Sequence, residues 1–319
     1  MYIKVPYRSQ LFSLLKIIVF VATLWYLNEK LLKSNEFRDI LPFINALEGR
    51  SFIFLLLVTI LMLLNWGIEA FKWKLLLNKY EPLSLLKALR SVWSGITINN
   101  WIPNRIGEFA GRIIFIKKEN QAKAVASSLL GSMAQFSCTI IFGILAAFLF
   151  FKPDNTELLL IPVSLIISLV MLLYFKSPQW HKIFKKMPFL SWISKHSGVI
   201  ESYSIKTLTA VMGLSFLRYV VYVFQYYLLL ILFGLELPLL YALSGISSIF
   251  LIQSFLPAIT LTEVGIRGAV VLFVFSDSSF NVLGLLSAAY SLWLINIIVP
   301  TIAGLLFILA VKRKKEVSC

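Results

Sequence analysis

Six stretches of this chain, about 11–27, 52–71, 125–151, 158–175, 207–233 and 282–311, run apolar almost without interruption. A helix needs about 20 residues to cross a hydrocarbon layer of about 30 Å. Within that layer the backbone must satisfy its own hydrogen bonds, which only helices and closed barrels achieve. A composition of 59% hydrophobic and 14% charged residues is far from what one soluble core requires. The expected fold is all-α, a polytopic transmembrane helix bundle forming a single integral membrane domain over residues 1–319. The first run follows Lys4 and Arg8, yet "VFVATLWYLNEK" closes on no small-x-small cleavage site, so a retained anchor is expected rather than a signal peptide.

The net charge of +15 is spread over connecting segments and carries no nucleic-acid-binding motif. Membrane orientation accounts for it better. Lys72, Lys74, Lys79, Lys87 and Arg90 follow the second run. Lys117, Lys118 and Lys123 precede the third, and a further basic group from Lys176 to Lys206 separates the fourth and fifth. "KRKK" at 312–315 lies at the end of the chain. By the positive-inside rule all four groups are expected on the cytoplasmic face of a bacterial inner membrane, with both termini there.

Each full crossing swaps sides, so this assignment holds only if two further apolar segments fail to cross. Segment 82–117 begins and ends among lysines that share a face. Segment 236–276 lacks Lys or Arg until Arg267 and must return to the opposite face. Both are expected to be re-entrant helical hairpins. Each has an apolar arm, a polar break containing Pro103 or Pro257, and a second arm; each contains Ser-Gly-Ile, at 94–96 and 244–246, and a Glu four residues before an Arg. Entry from opposite faces is what an inverted repeat produces. Irregular backbone at membrane depth is tolerated only where protein or a polar cavity covers it. The returning arms, capped by Asn104 or by Thr260 and Thr262, would point N-termini that favour anions into the interior.

Arg105, Arg112, Arg218 and Arg267, with Glu108 and Glu263, are the charges expected within the membrane region. Each costs roughly 2.5–3.5 kcal/mol there without a partner. Glu108 with Arg112, and Glu263 with Arg267, share helix faces. That leaves Arg105 and Arg218 over, a surplus of two cations suited to a phosphate-bearing ligand. Two readings of the pairs stay open: ion pairs at the rim of a bundle, or the lining of a polar cavity. Asn99, Asn100 and Asn104 suit backbone satisfaction at a break as well as ligand contact. Ser132, Gln135, Gln225 and Asn296 are read as interhelical hydrogen-bonding groups.

The segment 178–196 alternates basic and aromatic residues, as either an interfacial helix or a solvated loop would. Its His181 and His196 have no carboxylate or cysteine cluster near them in sequence. Cys138 and Cys319 have no ligand spacing, so no metal site and no redox role are expected.

At "NNWIPNRIGEFAGR" (99–112), with "FLPAITLTEVGIRG" (255–268) beyond it, the chain resembles the lysylphosphatidylglycerol synthase transmembrane-region family, a flippase-like membrane domain. Asn100, Pro103, Arg105, Gly107, Glu108 and Arg112 match the first motif; Pro257, Glu263, Gly265 and Arg267 match the second more loosely. Asn104 stands where a Gly is common, and Gln135 where a charged residue is expected. The resemblance implies an inner-membrane protein that binds or translocates lipids, in its stand-alone form, because "KRKKEVSC" follows the last helix where an aminoacyltransferase would begin.

The expected function is therefore a lipid translocase holding an anionic phospholipid or polyprenyl-phosphate headgroup at a midplane site. Asn100, Arg105, Glu108, Arg112, Arg218, Glu263 and Arg267 are the candidate binding residues. No nucleotide-binding loop is present, and no cofactor is expected. An intramembrane transferase or phosphatase is disfavoured, since the apolar segments hold neither His nor an acidic cluster. A noncatalytic subunit of a lipid or cell-envelope biosynthesis system is the alternative. The partners expected are anionic membrane lipid, a second copy of the chain or an envelope-biosynthesis protein.

Overall fold

The long apolar runs fold as long helices. The structure, a computed structural model, describes residues 51–100, 106–153, 156–179, 198–256, 260–276 and 281–317, together with Val21 and Trp25. Apart from those two residues, the expected span 11–27 lies outside the described residues. So do Pro103, Asn104, Arg105, Pro257, both histidines and most of segment 178–196.

The helices are α1 (Ser51–Leu77), α2 (Leu85–Asn99), α3 (Ile106–Ile113), α4 (Gln121–Phe151), α5 (Thr156–Phe175), α6 (Ile205–Leu232), α7 (Leu239–Phe255), α8 (Thr260–Val274), α9 (Val282–Trp293) and α10 (Val299–Val317). A π-helical turn, Leu294–Ile298, joins α9 to α10. No strand occurs among the described residues. Four stretches are long and apolar enough to cross a membrane: Phe52–Leu77, Lys118–Phe151, Ile205–Leu232 and Val282–Val311. Pro162 lies inside the shorter apolar α5.

Polarity is reversed relative to a soluble bundle. On α1 the exposed face carries Phe52, Ile53, Leu56, Ile60 and Leu63, while Asn65, Glu69 and Lys72 are buried. Lipid tails solvate the first set, and the second must find partners inside the protein.

The two short pairs, α2 with α3 and α7 with α8, differ from the long helices. At 1.5 Å per residue, α2 and α3 reach only about 22 and 12 Å, and α8 about 22 Å, all short of a crossing. Helices α2 and α3 lie antiparallel with backbones in contact. Gly111 sits on Ser94 and Gly95, and Gly107 on Ile98 and Asn99, with no room for a Cβ at either glycine. The Ser91 hydroxyl, which accepts from the Trp73 indole N–H at 3.0 Å, donates to the Arg112 carbonyl at 2.7 Å.

The entry and exit of this first pair are held together by one carboxylate. Ser84 caps α2 by accepting from the Lys87 N–H. Just before it, Glu81 accepts from Lys87 Nζ and the Lys117 backbone N–H, both at 3.0 Å, and from Asn120 Nδ2 at 3.4 Å. Segment 82–117 therefore begins and ends at the same place. In the second pair, Tyr241 near the start of α7 lies against Phe275 after α8, ring centroids 6.0 Å apart.

Glu81 lies outside the spanning helices. Burial raises its carboxyl, but Lys87, the Lys117 amide and Asn120 outweigh that and hold it below its ordinary value. A depressed carboxylate stabilises the fold above its unfolded value of about 4.3 and loses that contribution as pH falls through the folded value. Glu81→Gln should cost about 1–2 kcal/mol at neutral pH. The gap from wild type should begin to narrow below about pH 4.3 and close once the pH lies under the folded value, and thermal melts of both proteins along a pH series measure it; a gap that persists in acid would refute the assignment.

Each short pair packs on a long helix from the other part of the chain. Helix α2 lies along α10, where Gly304 meets Trp93 and Thr97, and α7 lies along α4, where Gly143 meets Leu251. Helices α1 and α6 pack side by side.

Candidate functional site

The polar face of α1 is built by spacing. Asn65, Glu69 and Lys72 stand at i, i+4 and i+7, one above the other on a single helix face. Trp66 and Trp73, seven residues apart, flank them. On α6 the same spacing carries Arg218, Tyr222 and Gln225. Where these faces meet α3, five charged side chains converge.

Glu69, 3% exposed, is the centre. Its Oε1 accepts from Arg112 at 2.8 Å; its Oε2 accepts from Lys72 at 2.7 Å and from Arg218 at 3.0 Å. Arg112 also donates to Glu108 at 2.6 Å. Lys72 completes its donors with Ser215 Oγ at 3.4 Å and the Gly131 carbonyl at 3.5 Å. The two guanidinium groups lie over indole rings: Arg112 is 5.2 Å from the centroid of Trp73, and Arg218 is 4.8 Å from that of Trp66. Stacking of this kind favours a desolvated cation.

A hydrogen-bonded chain leads away from the cluster. Arg218 Nε donates to Asn65 Oδ1 at 2.9 Å, and Asn65 Nδ2 donates to Asn296 Oδ1 at 3.5 Å. Asn296 Nδ2 then donates to Gln225 Oε1 at 3.0 Å, and Gln225 Nε2 to the Val58 carbonyl at 2.9 Å. Asn296 lies in the π-helical turn, whose altered register carries its side chain in this chain of bonds. Gln225 and Asn296 thus join helices as expected, and Gln135 does so by donating to the Ser215 carbonyl at 3.4 Å.

The second Glu–Arg pair forms as expected within α8, Arg267 donating to Glu263. Tyr222 relates the two centres, interacting electrostatically with Arg267, Arg218 and Glu263. Asn100 stands apart: its Nδ2 donates to Thr301 Oγ1 at 2.6 Å, tying the tip of α2 to α10. Arg105 lies outside the described residues. Of the seven candidates, Arg112 and Arg218 meet at Glu69, Glu108 joins them through Arg112, and Glu263 and Arg267 are related to them through Tyr222.

The charge expectation needs correcting. Arg218 is not left over but paired with Glu69, and Lys72 belongs to this buried cluster rather than to a basic surface group. The cluster holds three cations, Lys72, Arg112 and Arg218, against two carboxylates, Glu69 and Glu108, a surplus of one among the described residues.

The lysylphosphatidylglycerol synthase TM region family matches residues 13–304. The chain belongs to this family. It is accordingly an integral membrane protein, connected by family to lipid-related processes. No curated protein and no solved structure matches the chain.

In this member of the lysylphosphatidylglycerol synthase TM region family, Glu69, Lys72, Asn65 and Tyr222 escaped the sequence reading. Their signal was present as polar residues at i, i+4 and i+7 on two otherwise apolar helices. Charges near the end of an apolar run ordinarily mark the water interface, and that habit hid Glu69 and Lys72.

Proposed function

We propose that the chain is a lipid translocase whose polar centre holds the headgroup of an anionic phospholipid or polyprenyl phosphate while the tails stay in the bilayer. The observation that carries this is the cation surplus at Glu69, buried among helices that otherwise face lipid. An anion supplies the missing charge, and burial makes the attraction strong. The chemistry is transport alone: the centre contains guanidinium, ammonium and carboxylate groups already engaged with one another, and no residue is assigned to acid–base work.

In this proposal the α2–α3 and α7–α8 pairs are re-entrant hairpins entering from opposite faces of the bacterial inner membrane, with both termini cytoplasmic. The order of one long helix, two short helices and a long helix occurs twice, which supports an inverted repeat. So does the exchange in which α2 lies on α10 and α7 on α4. Arg112 meets Glu69 as Arg267 meets Tyr222, and residues 69 and 222 hold the middle place in the same polar spacing.

Reconstitution into liposomes with fluorescently labelled phosphatidylglycerol tests the function. Quenching from outside reads exchange between leaflets. Wild type should accelerate exchange over empty liposomes, and Arg218→Gln should lower the rate about tenfold, the loss of roughly one charge-assisted hydrogen bond. Glu69 keeps Lys72 and Arg112 in that variant, so the fold should survive. No acceleration by wild type would overturn the proposal. The internal pairing of Glu69 favours a second reading, a noncatalytic subunit whose buried charges are structural; it expects neither exchange nor co-purified lipid.

A further inference from the structure

The second centre has donors to spare. Among the described residues, Arg267 Nε and the Tyr226 hydroxyl are buried without a hydrogen-bond partner, and Tyr226 is 2% exposed. Tyr226 interacts electrostatically with Arg267, Tyr222 and Tyr290. The Tyr290 hydroxyl lies against Gly268, next to Arg267, where any Cβ would collide with it. Two phenols of α6, Tyr222 and Tyr226, therefore interact with the Arg267 guanidinium, while Tyr290 of α9 lies against the neighbouring glycine. Tyr222 and Tyr226 are held by the same ring, Phe250, at 5.0 and 5.9 Å. At the first centre Arg112 Nε is likewise a buried donor without a partner.

An unmatched buried N–H or O–H is costly unless a ligand or water accepts from it. Two such donor sets, one in the cluster of Arg218 and one at Arg267, both of which interact electrostatically with Tyr222, suit a ligand with acceptors at two points. A lone phosphate offers acceptors at one. Two phosphoryl groups joined through a bridging oxygen offer them at both, each able to take charge-assisted hydrogen bonds from an arginine.

We propose, building on the headgroup site above, that the preferred substrate class is a lipid diphosphate. One phosphoryl group lies at Arg112 and Arg218, and the other at Arg267 and the Tyr226 hydroxyl, with Tyr222 between them.

The test compares binding of farnesyl phosphate and farnesyl diphosphate to the full chain in zwitterionic nanodiscs at one salt concentration. Wild type should prefer the diphosphate by about tenfold, the worth of an added charge-assisted contact. Tyr226→Phe should reduce that preference to threefold or less, on the order of half the contact. Arg267→Lys, which keeps the charge but removes the Nε–H, should do the same and stands in if the first variant folds poorly. Tyr227→Phe, next in sequence but packed on Phe224, should retain the preference. Equal affinity of wild type for the two lipids would overturn the diphosphate assignment and leave the headgroup site standing. So would a full preference in both Tyr226→Phe and Arg267→Lys. Binding of neither lipid to wild type would overturn both proposals.

Discussion

Replacing Glu69 by Gln should destabilise the protein by about 3–5 kcal/mol, the range seen when one partner of a buried ion pair is removed. Three cations face that carboxylate, and Lys72, Arg112 and Arg218 would then repel one another in a medium that screens poorly. Glu108→Gln should be milder, about 1 kcal/mol, because Arg112 retains Glu69. Changing Lys72 to Met together with Glu69→Gln should recover part of the loss, since a desolvated charge leaves with the carboxylate. Thermal melting in detergent, read by the monodisperse fraction, measures all three proteins. An unchanged melting temperature for Glu69→Gln would show that the cluster contributes nothing to the fold.

Gly111→Leu should cost about 3 kcal/mol, at the upper end of overpacking. Overpacking is usually relieved by rotamer changes, but here the obstacle is the backbone of Ser94 and Gly95, and the side chain would begin inside it. Helix α3 would have to move off α2, carrying Arg112 away from Glu69. Lipid binding should therefore fall together with stability. Gly67 is the matched control, since a Cβ there meets nothing within 4 Å. Gly67→Ala should be neutral or stabilising by about 0.5–1 kcal/mol through reduced freedom of the unfolded chain. Equal melting temperatures for Gly111→Leu and wild type would refute the close packing of the hairpin.

The membrane helices were legible because their cause is local. Lipid imposes length and apolarity on each crossing separately. Helices α1, α4 and α6 accordingly match the expected runs to within a few residues at their ends. The polar interruption at 99–112 was legible for a related reason: Asn, Pro and charged residues gathered in one short stretch disfavour a continuous apolar helix, although a single Pro162 or Gly67 inside an apolar run does not end one. The Glu–Arg pairs, four residues apart on one helix face, needed only helix geometry, and both form.

The sequence by itself determined an all-helical membrane chain, interrupted where segments 82–117 and 236–276 carry their polar breaks, and the two ion pairs within single helices. Only the tertiary structure decided which charges share a centre. Arg112 and Arg218 reach Glu69 from 43 and 149 residues away, so neither spacing nor propensity couples them. Nor could composition distinguish Lys72, buried against Ser215 and Gly131, from the lysines that follow it on the surface. A buried charge is stable only beside partners that compensate its lost hydration. Those partners come from whichever helices happen to pack there, and here α1, α3 and α6 supply them.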